Sequence, residues 1–463
     1  MSFFDKLTGY LPEVKASKSR LSFKEKLKWT LIILVLFFVM GLVPLYGLGE
    51  NALQQFEFLS VILGASFGSI ISLGIGPLVT SSIVLQLLSG TGILKMDLTT
   101  TEGRKKFQGL QKLLSIVFII FEAAVYVLMG GLAPADSLLQ TAPALYAQFE
   151  MLLIFQLILG GMVIMFMDEV VSKWGFGSGI SLFIVAGVAQ QLFVRMFNFL
   201  PSPTNPDIAA GALPALVQSL MRGDMVTVGL QFAGILSTVA VFAVAVYAQS
   251  MKVEIPLSFG RVRGQGIRWP LNFFYTSNIP VILVSALLAN VQLFAGLFEK
   301  WGYPILGTFS GNSPASGLVY WISAPDLVGS IIRGTFTLSQ VGQSLAYILL
   351  LVAGSIVFSI FWMQTANMDA KSQARQILAS GLQMPGFRRD ERVLEMVLNR
   401  YIWPLTVVGG AAIGLLAATA DLTGALANGT SIVLSVTIIY KMYEEIAKQH
   451  MTDMHPAMRK FME

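Results

Sequence analysis

The chain has 463 residues, 55% of them hydrophobic and only 12% charged, with 43 glycines and a formal net charge of +5; its mean hydropathy is +0.70. That balance excludes a soluble domain and describes a polytopic membrane protein in which glycines let apolar helices approach closely. The absence of cysteine excludes disulfides, thiolate metal sites and cysteine nucleophiles.

Residues 1–28 read as a cytoplasmic N-terminal segment. The apolar run that follows, 27–49, is too long for the core of a signal peptide and lacks a small-residue cleavage site. Its span is centred on 31–46. The second hydrophobic stretch, 56–88, is broken by Gly74-Ile75-Gly76-Pro77. As a straight helix it would reach about 50 Å, well beyond a hydrocarbon core of about 30 Å. Its first part, 56–72, is too short to cross, carries Glu57 and is loosened by Gly64 and Gly68. Two readings fit: a half-helix lining a pore or substrate cavity, where protein or water satisfies irregular backbone, and a kinked, partly interfacial helix.

Eight further spans follow at 110–132, 149–167, 179–197, 225–249, 273–297, 341–363, 401–420 and 431–443. The last is short and amphipathic. With the N-terminus in the cytoplasm, every Lys and Arg except Arg195, Arg222, Lys300 and Arg333 falls on the cytoplasmic side, so the positive-inside rule places both termini there. Ten spans divide into an N-terminal half, 29–200, and a C-terminal half, 225–445, joined by an external connection, 201–224. Residues 446–463 form a cytoplasmic tail. An odd number of spans per half gives equivalent halves opposite topology, as in many transporters and channels, although no sequence repeat is evident. The long outside stretch 299–340 can fold over a mouth.

Two cytoplasmic loops, about 250–271 and 366–400, are larger than a connection requires. The first reads as two strands around a glycine turn, with Arg261, Arg263 and Arg268 near the tip beside Trp269. In the second, 369–383 reads as a helix, followed by a turn and the pair Arg388-Arg389 beside Phe387. Arginines next to aromatics pair with phosphates or stack on bases, which suits an RNA-bearing partner. Anionic lipid facing positive-inside loops is the alternative.

No catalytic apparatus emerges. Residues 64–68 match G-x-S-x-G literally without its strand-turn-helix context, and the two histidines, His450 and His455, lie in the polar tail. There is no P-loop and no H-E-x-x-H pair, so no cofactor or metal is expected and the chain is not expected to be an enzyme. Glu122, at the centre of the third span, is costly there unless protonated, paired or facing water.

The blocks 23–30 (FKEKLKWT), 73–80 (LGIGPLVT), 96–98 (MDL), 107–115 (FQGLQKLLS), 177–184 (GSGISLFI), 277–283 (SNIPVIL), 386–389 (GFRR) and 440–444 (YKMYE) resemble SecY, the channel subunit of the protein translocase, in its archaeal form. The likeness runs nearly end to end. It implies an all-α polytopic protein of ten transmembrane helices in two pseudo-symmetric five-helix halves around a central pore, with a re-entrant plug half-helix at about 56–67. Plug positions fall on Phe56, Glu57, Leu59, Ile62, Leu63, Gly64 and Phe67. Those of a pore ring fall on Ile75, Val79, Ile180, Ile184, Ile282 and Leu434, all aliphatic here; Ile75 with Val79 and Ile180 with Ile184 are one helical turn apart. Polar positions of a lateral gate fall on Thr80, Glu122 and Asn290, where ordinary polar contact between helices is the competing role.

The same resemblance implies a passive protein-conducting channel in the cell membrane that passes secretory polypeptides and releases signal or transmembrane helices into lipid. Its partners would be a SecE-type small subunit, a second small subunit of the Sec-beta type, the ribosome, signal sequences and nascent polypeptides, and anionic lipids. From the residues alone, a secondary transporter and a non-conducting membrane scaffold stay open. A transporter normally needs midplane ion-coordinating groups, and Glu122 is nearly alone there.

Overall fold

The computed structural model describes residues 12–17, 21–49, 68–90, 93–94, 101–128, 131–202, 207–259, 266–276, 279–300, 303–310, 313–383 and 390–454. Among them, a helix occupies each stretch read as a span: α1 Phe23–Gly41, α2 Gly76–Gly90, α3 Thr101–Leu128, α4 Pro143–Trp174, α5 Gly179–Phe197, α6 Met225–Ser250, α7 Ile279–Lys300, α8 Leu338–Thr365, α9 Glu391–Leu422 and α10 Gly429–Met454. Six of these, α3, α4, α5, α6, α8 and α9, contain windows long and apolar enough to cross a bilayer. The chain is thus an all-α polytopic membrane protein, its small β content confined to loops.

Local chemistry sets the helix ends. Ser22 and Glu25 form a capping box at the start of α1: the Ser22 hydroxyl accepts from the Glu25 amide, and the Glu25 carboxylate accepts from the Ser22 amide. Asp224 caps α6 and Asp390 caps α9. Helices overrun the apolar stretches that marked them, α4 as far as Trp174 and α9 back to Glu391, because their ends are polar faces that hydropathy does not register. The first span is corrected in the other direction. Its helix stops at Gly41, and Val43 and Leu45 instead bond to the chain ahead of α2.

The chain separates into two compact units, one of residues 1–189 with 438–463 and the other of residues 190–437. In the first, α4 packs on α1 and α3, and α2 packs on α3. In the second, α9 packs on α6 and α8, and α7 packs on α8. These three pairings correspond helix for helix. The glycines that permit the close approaches repeat as well. A Cβ on Gly160 of α4 would lie 1.8 Å from the Ile70 carbonyl oxygen, and one on Gly161 would meet Ile119 of α3 at 2.7 Å. In α9 a Cβ on Gly409 would lie 2.6 Å from the Phe273 carbonyl oxygen, and one on Gly410 would meet Ser359 of α8 at 2.4 Å. Each fourth helix of a half therefore uses a glycine pair to seat the backbone leading into the second helix and the side of the third.

Between α6 and α7, β1 Lys252–Phe259 and β2 Gly266–Asn272 form the expected antiparallel hairpin, with Ile255 opposite Trp269 and Leu257 opposite Ile267. The loop after α8 departs from its reading. The helix there ends at Ala379, and Leu382–Gln383 is a third strand, β3, paired with Phe259 and Ser258 of β1. A strand whose partner lies more than a hundred residues away carries no local signal. Beneath the sheet, Ile255, Leu257 and Leu271 bury against Ala374 and Ile377 of the short helix Ala370–Ala379 and Leu394, Leu398 and Ile402 of α9.

Candidate pore ring, gate and cytoplasmic loops

The approach to α2 is not helical, which corrects the reading of a half-helix over 56–72 for its described part, 68–72: residues 68 and 70–75 are turns and Ser69 forms an isolated antiparallel bridge with Pro44. Ser69, Ile71, Ser72, Leu73 and Ile75 are all buried, and irregular backbone at membrane depth needs protein partners. The chain after α1 supplies them. Leu45 N–H donates to the Gly68 carbonyl (2.8 Å) and Ile70 N–H to that of Val43 (2.9 Å). Within the stretch, the Ser72 amide and hydroxyl both donate to the Ser69 carbonyl, at 3.0 and 2.5 Å. Gly74 takes φ +57°, a conformation a side chain resists, and turns the chain into α2.

Ile75 ends this stretch and Val79 follows one turn on, its N–H bonded to the Ile75 carbonyl (3.0 Å). Ile75 is buried, and Val79, Ile180 and Ile184 pack partly buried against the same apolar cluster, which includes Leu78, Phe37 and Phe183. Phe37 of α1 and Phe183 of α5 stack with ring centroids 4.7 Å apart. The structure thus brings four of the six ring positions into one cluster of the first unit. Ile282 on α7 and Leu434 on α10 belong to the second unit. Each is half-buried beside a fully buried valine, Val281 and Val433, of that unit's core.

The first turn of α5, which carries Ile180, is held by a residue the sequence reading passed over. Asp168, near the end of α4, accepts from Ile180 N–H through Oδ1 (2.9 Å). The signal was an acid closing the apolar run 149–167 ahead of a glycine-serine turn. A second omission is the buried hydrogen bond between the Ser81 hydroxyl of α2 and the Ser115 hydroxyl of α3 (2.6 Å). Serines spaced among apolar residues carry no local signal of such a pairing.

Of the gate positions, Thr80 is half-buried on α2 beside Ser81, and Glu122 is half-buried on α3, two turns beyond Ser115. Asn290 lies on α7, its side chain outside the described residues. The plug positions Phe56, Glu57, Leu59, Ile62, Leu63, Gly64 and Phe67 also fall outside them. So do Arg261, Arg263, Arg388 and Arg389. Arg268 is described: it stands exposed on β2 with Nη1 2.8 Å from Glu254 Oε2 of β1. Both partners face solvent, where such a pair contributes about 0–1 kcal/mol and leaves the guanidinium open to exchange partners. Among the described residues, no group of three or more potential metal ligands converges.

Comparison with known proteins bears on this arrangement. The SecY family model matches residues 69–443, and the model described as the plug domain of Sec61p matches residues 35–68. The chain belongs to the SecY family. The protein translocase subunit SecY of Methanothermobacter thermautotrophicus is 47% identical to it, covering 99% of this chain and 98% of its own. A solved structure, described as that of a protein-conducting channel, superposes with a TM-score of 0.78 at 39% identity, covering 97% of this chain and 98% of its own. Sec61 in a canine ribosome-channel complex from the endoplasmic reticulum gives 0.75 at 38%, with the same coverage. The family fold is therefore present along essentially the whole chain.

Proposed function

We propose that this chain is the pore-forming subunit of a protein translocase, a passive conduit through which secretory polypeptides cross the membrane and from which apolar helices leave sideways into lipid. The observation that carries the reading is the cluster that unites Ile75, Val79, Ile180 and Ile184 directly after a buried, irregular entry into α2. Ile282 and Leu434 complete the ring. An apolar constriction resists wetting, which blocks ions at rest, while rotatable aliphatic side chains part around a peptide of almost any sequence. Seal and low selectivity then come from the same atoms. The chain supplies no energy itself; the push comes from a partner or from the growing polypeptide.

In this reading, residues 56–67 plug the external side. Thr80, Glu122 and Asn290 hold a lateral gate shut by hydrogen bonds, against which an apolar signal helix competes by offering burial. The two basic loops, with Arg261, Arg263, Arg268, Arg388 and Arg389, dock a ribosome. A SecE-type subunit and a Sec-beta-type subunit complete the complex in the plasma membrane, both termini of this chain being cytoplasmic. The relatives' name supports a translocase subunit, and the ribosome-bound structural neighbour supports a ribosome as partner.

The test is ion conductance of the purified complex in planar bilayers. Ile75→Asn or Ile184→Asn wets the constriction, so a resting leak is expected where the unsubstituted channel is silent. Unchanged silence with both variants would remove the ring from these residues.

A further inference from the structure

We infer that Asp168 and Asp421 are a matched pair of positioning residues, one per half, that set the register of the pore-ring helices by capping the N-terminus of the fifth helix from the end of the fourth. The inference rests on the ring assignment above and adds to it the side chains that aim it.

The two sites share their parts. In the first unit, α5 begins at Gly179, where a Cβ would lie 2.5 Å from the Asp168 Cα. Asp168 Oδ1 accepts from Ile180 N–H at 2.9 Å. In the second unit, α10 begins at Gly429, where a Cβ would lie 2.1 Å from the Ala417 carbonyl oxygen. Asp421 Oδ1 accepts from Gly429 N–H at 2.8 Å, and its Oδ2 accepts from the Tyr347 hydroxyl of α8 at 2.8 Å. Each half thus presses a glycine-started helix onto the preceding one and pins its first turn with a carboxyl oxygen.

The pin matters because of what the pinned helices carry. Ile180 follows Gly179 directly, Ile184 lies one turn on, and Leu434 sits in the second turn of α10. The first amides of a helix have no intrahelical acceptor, and an acid there also complements the helix dipole. Without the carboxyl oxygen, the first turn must unwind or shift to find another acceptor. One residue of slippage rotates a helix by about 100°, which would turn an aliphatic ring position away from its neighbours. Two acids, each near the end of the fourth helix of its half, accept from the first or second amide of the helix that follows, and both of those helices supply ring residues, a correspondence that generic helix capping does not require.

The experiment uses the full chain with its co-purifying subunits. Asp168→Ala and Asp421→Ala are compared with Asp168→Asn and Asp421→Asn, which keep an oxygen acceptor. Resting conductance is read in planar bilayers, and access to the ring is read by reacting Ile180→Cys with a membrane-impermeant maleimide and following the label on this chain after its separation from the subunits, free of background there because the chain has no cysteine. The alanine variants should leak and label several-fold faster; the asparagine variants should stay near the unsubstituted protein. Leu394→Ala, in the cytoplasmic cluster, controls for lowered stability and should not leak. If an alanine variant fails to assemble, Gly179→Ala, which forces α5 off Asp168, takes its place with the same expectation. Silent alanine variants alongside a leaking Ile184→Asn overturn the inference and keep the ring; silence in all of them removes the ring itself. Leakage from Leu394→Ala equal to that from Asp168→Ala also overturns it.

Discussion

At the scale of single residues, the glycine pairs of α4 and α9 leave no room for a side chain. Even a methyl at Gly160 would overlap a backbone oxygen, which cannot rotate away, so α4 must retreat from the entry to α2. Overpacking of this kind costs about 1–3 kcal/mol. Gly160→Ala should lower the midpoint of thermal unfolding in detergent more than Gly409→Ala, whose Cβ meets its carbonyl at 2.6 Å. Outside the membrane, Asp224 is held below the usual carboxylate range because the Thr227 hydroxyl and then its amide donate to it. A depressed carboxylate contributes stability above its unfolded pKa and loses it as pH falls through the folded one. The stability difference between the native chain and Asp224→Ala should therefore be present at neutral pH and shrink on acidification. A difference that grew toward low pH would contradict this assignment. Gly160 and Asp168 stand in the sequence as an unremarkable glycine and a terminal acid; their importance comes from a backbone about ninety residues upstream and a helix start that folding brings beside them.

At the scale of elements, the hydropathy pattern located the ten longest helices among the described residues because a bilayer requires apolar length, and it misjudged their ends because it is blind to polar extensions. The broken second span was legible for the same reason: an overlong run containing Gly-Ile-Gly-Pro cannot cross as one helix. What could not be read is how α2 and α3 are joined. The Ser81–Ser115 hydrogen bond lies on the same helix pair as Thr80 and Glu122, so polar contacts on this pair have a ready structural role. Such contacts contribute about 0.6 kcal/mol on average, too little singly to hold a gate but enough in a cluster to bias one. Glu122→Leu with Asn290→Leu should relax the demand for a hydrophobic signal sequence, measured as export of clients with weakened signals. Unchanged stringency returns both residues to ordinary helix contact.

At the scale of the whole molecule, the two-half architecture was suggested only by counting spans, since no repeat is visible in the residues. The repeat exists in the packing: glycine pairs seated on carbonyls and acids capping the next helix, each made by different flanking residues in the two units. The two basic loops were legible in the sequence, and the ribosome docking proposed for them rests on their charge. Reversing Arg263, Arg268, Arg388 and Arg389 together should weaken ribosome binding and flatten its salt dependence, because an arginine that neutralises a phosphate releases about one condensed counterion. Binding that keeps both its strength and its salt slope would leave lipid as the counterpart of these arginines. The pairing of β3 with β1 adds something mechanical. Because the sheet rests on α9 and on the short helix that follows α8, a cargo machine gripping either loop grips both. Torque applied at the hairpin is delivered to the roots of two membrane helices at once, as through the crossbar of a single handle.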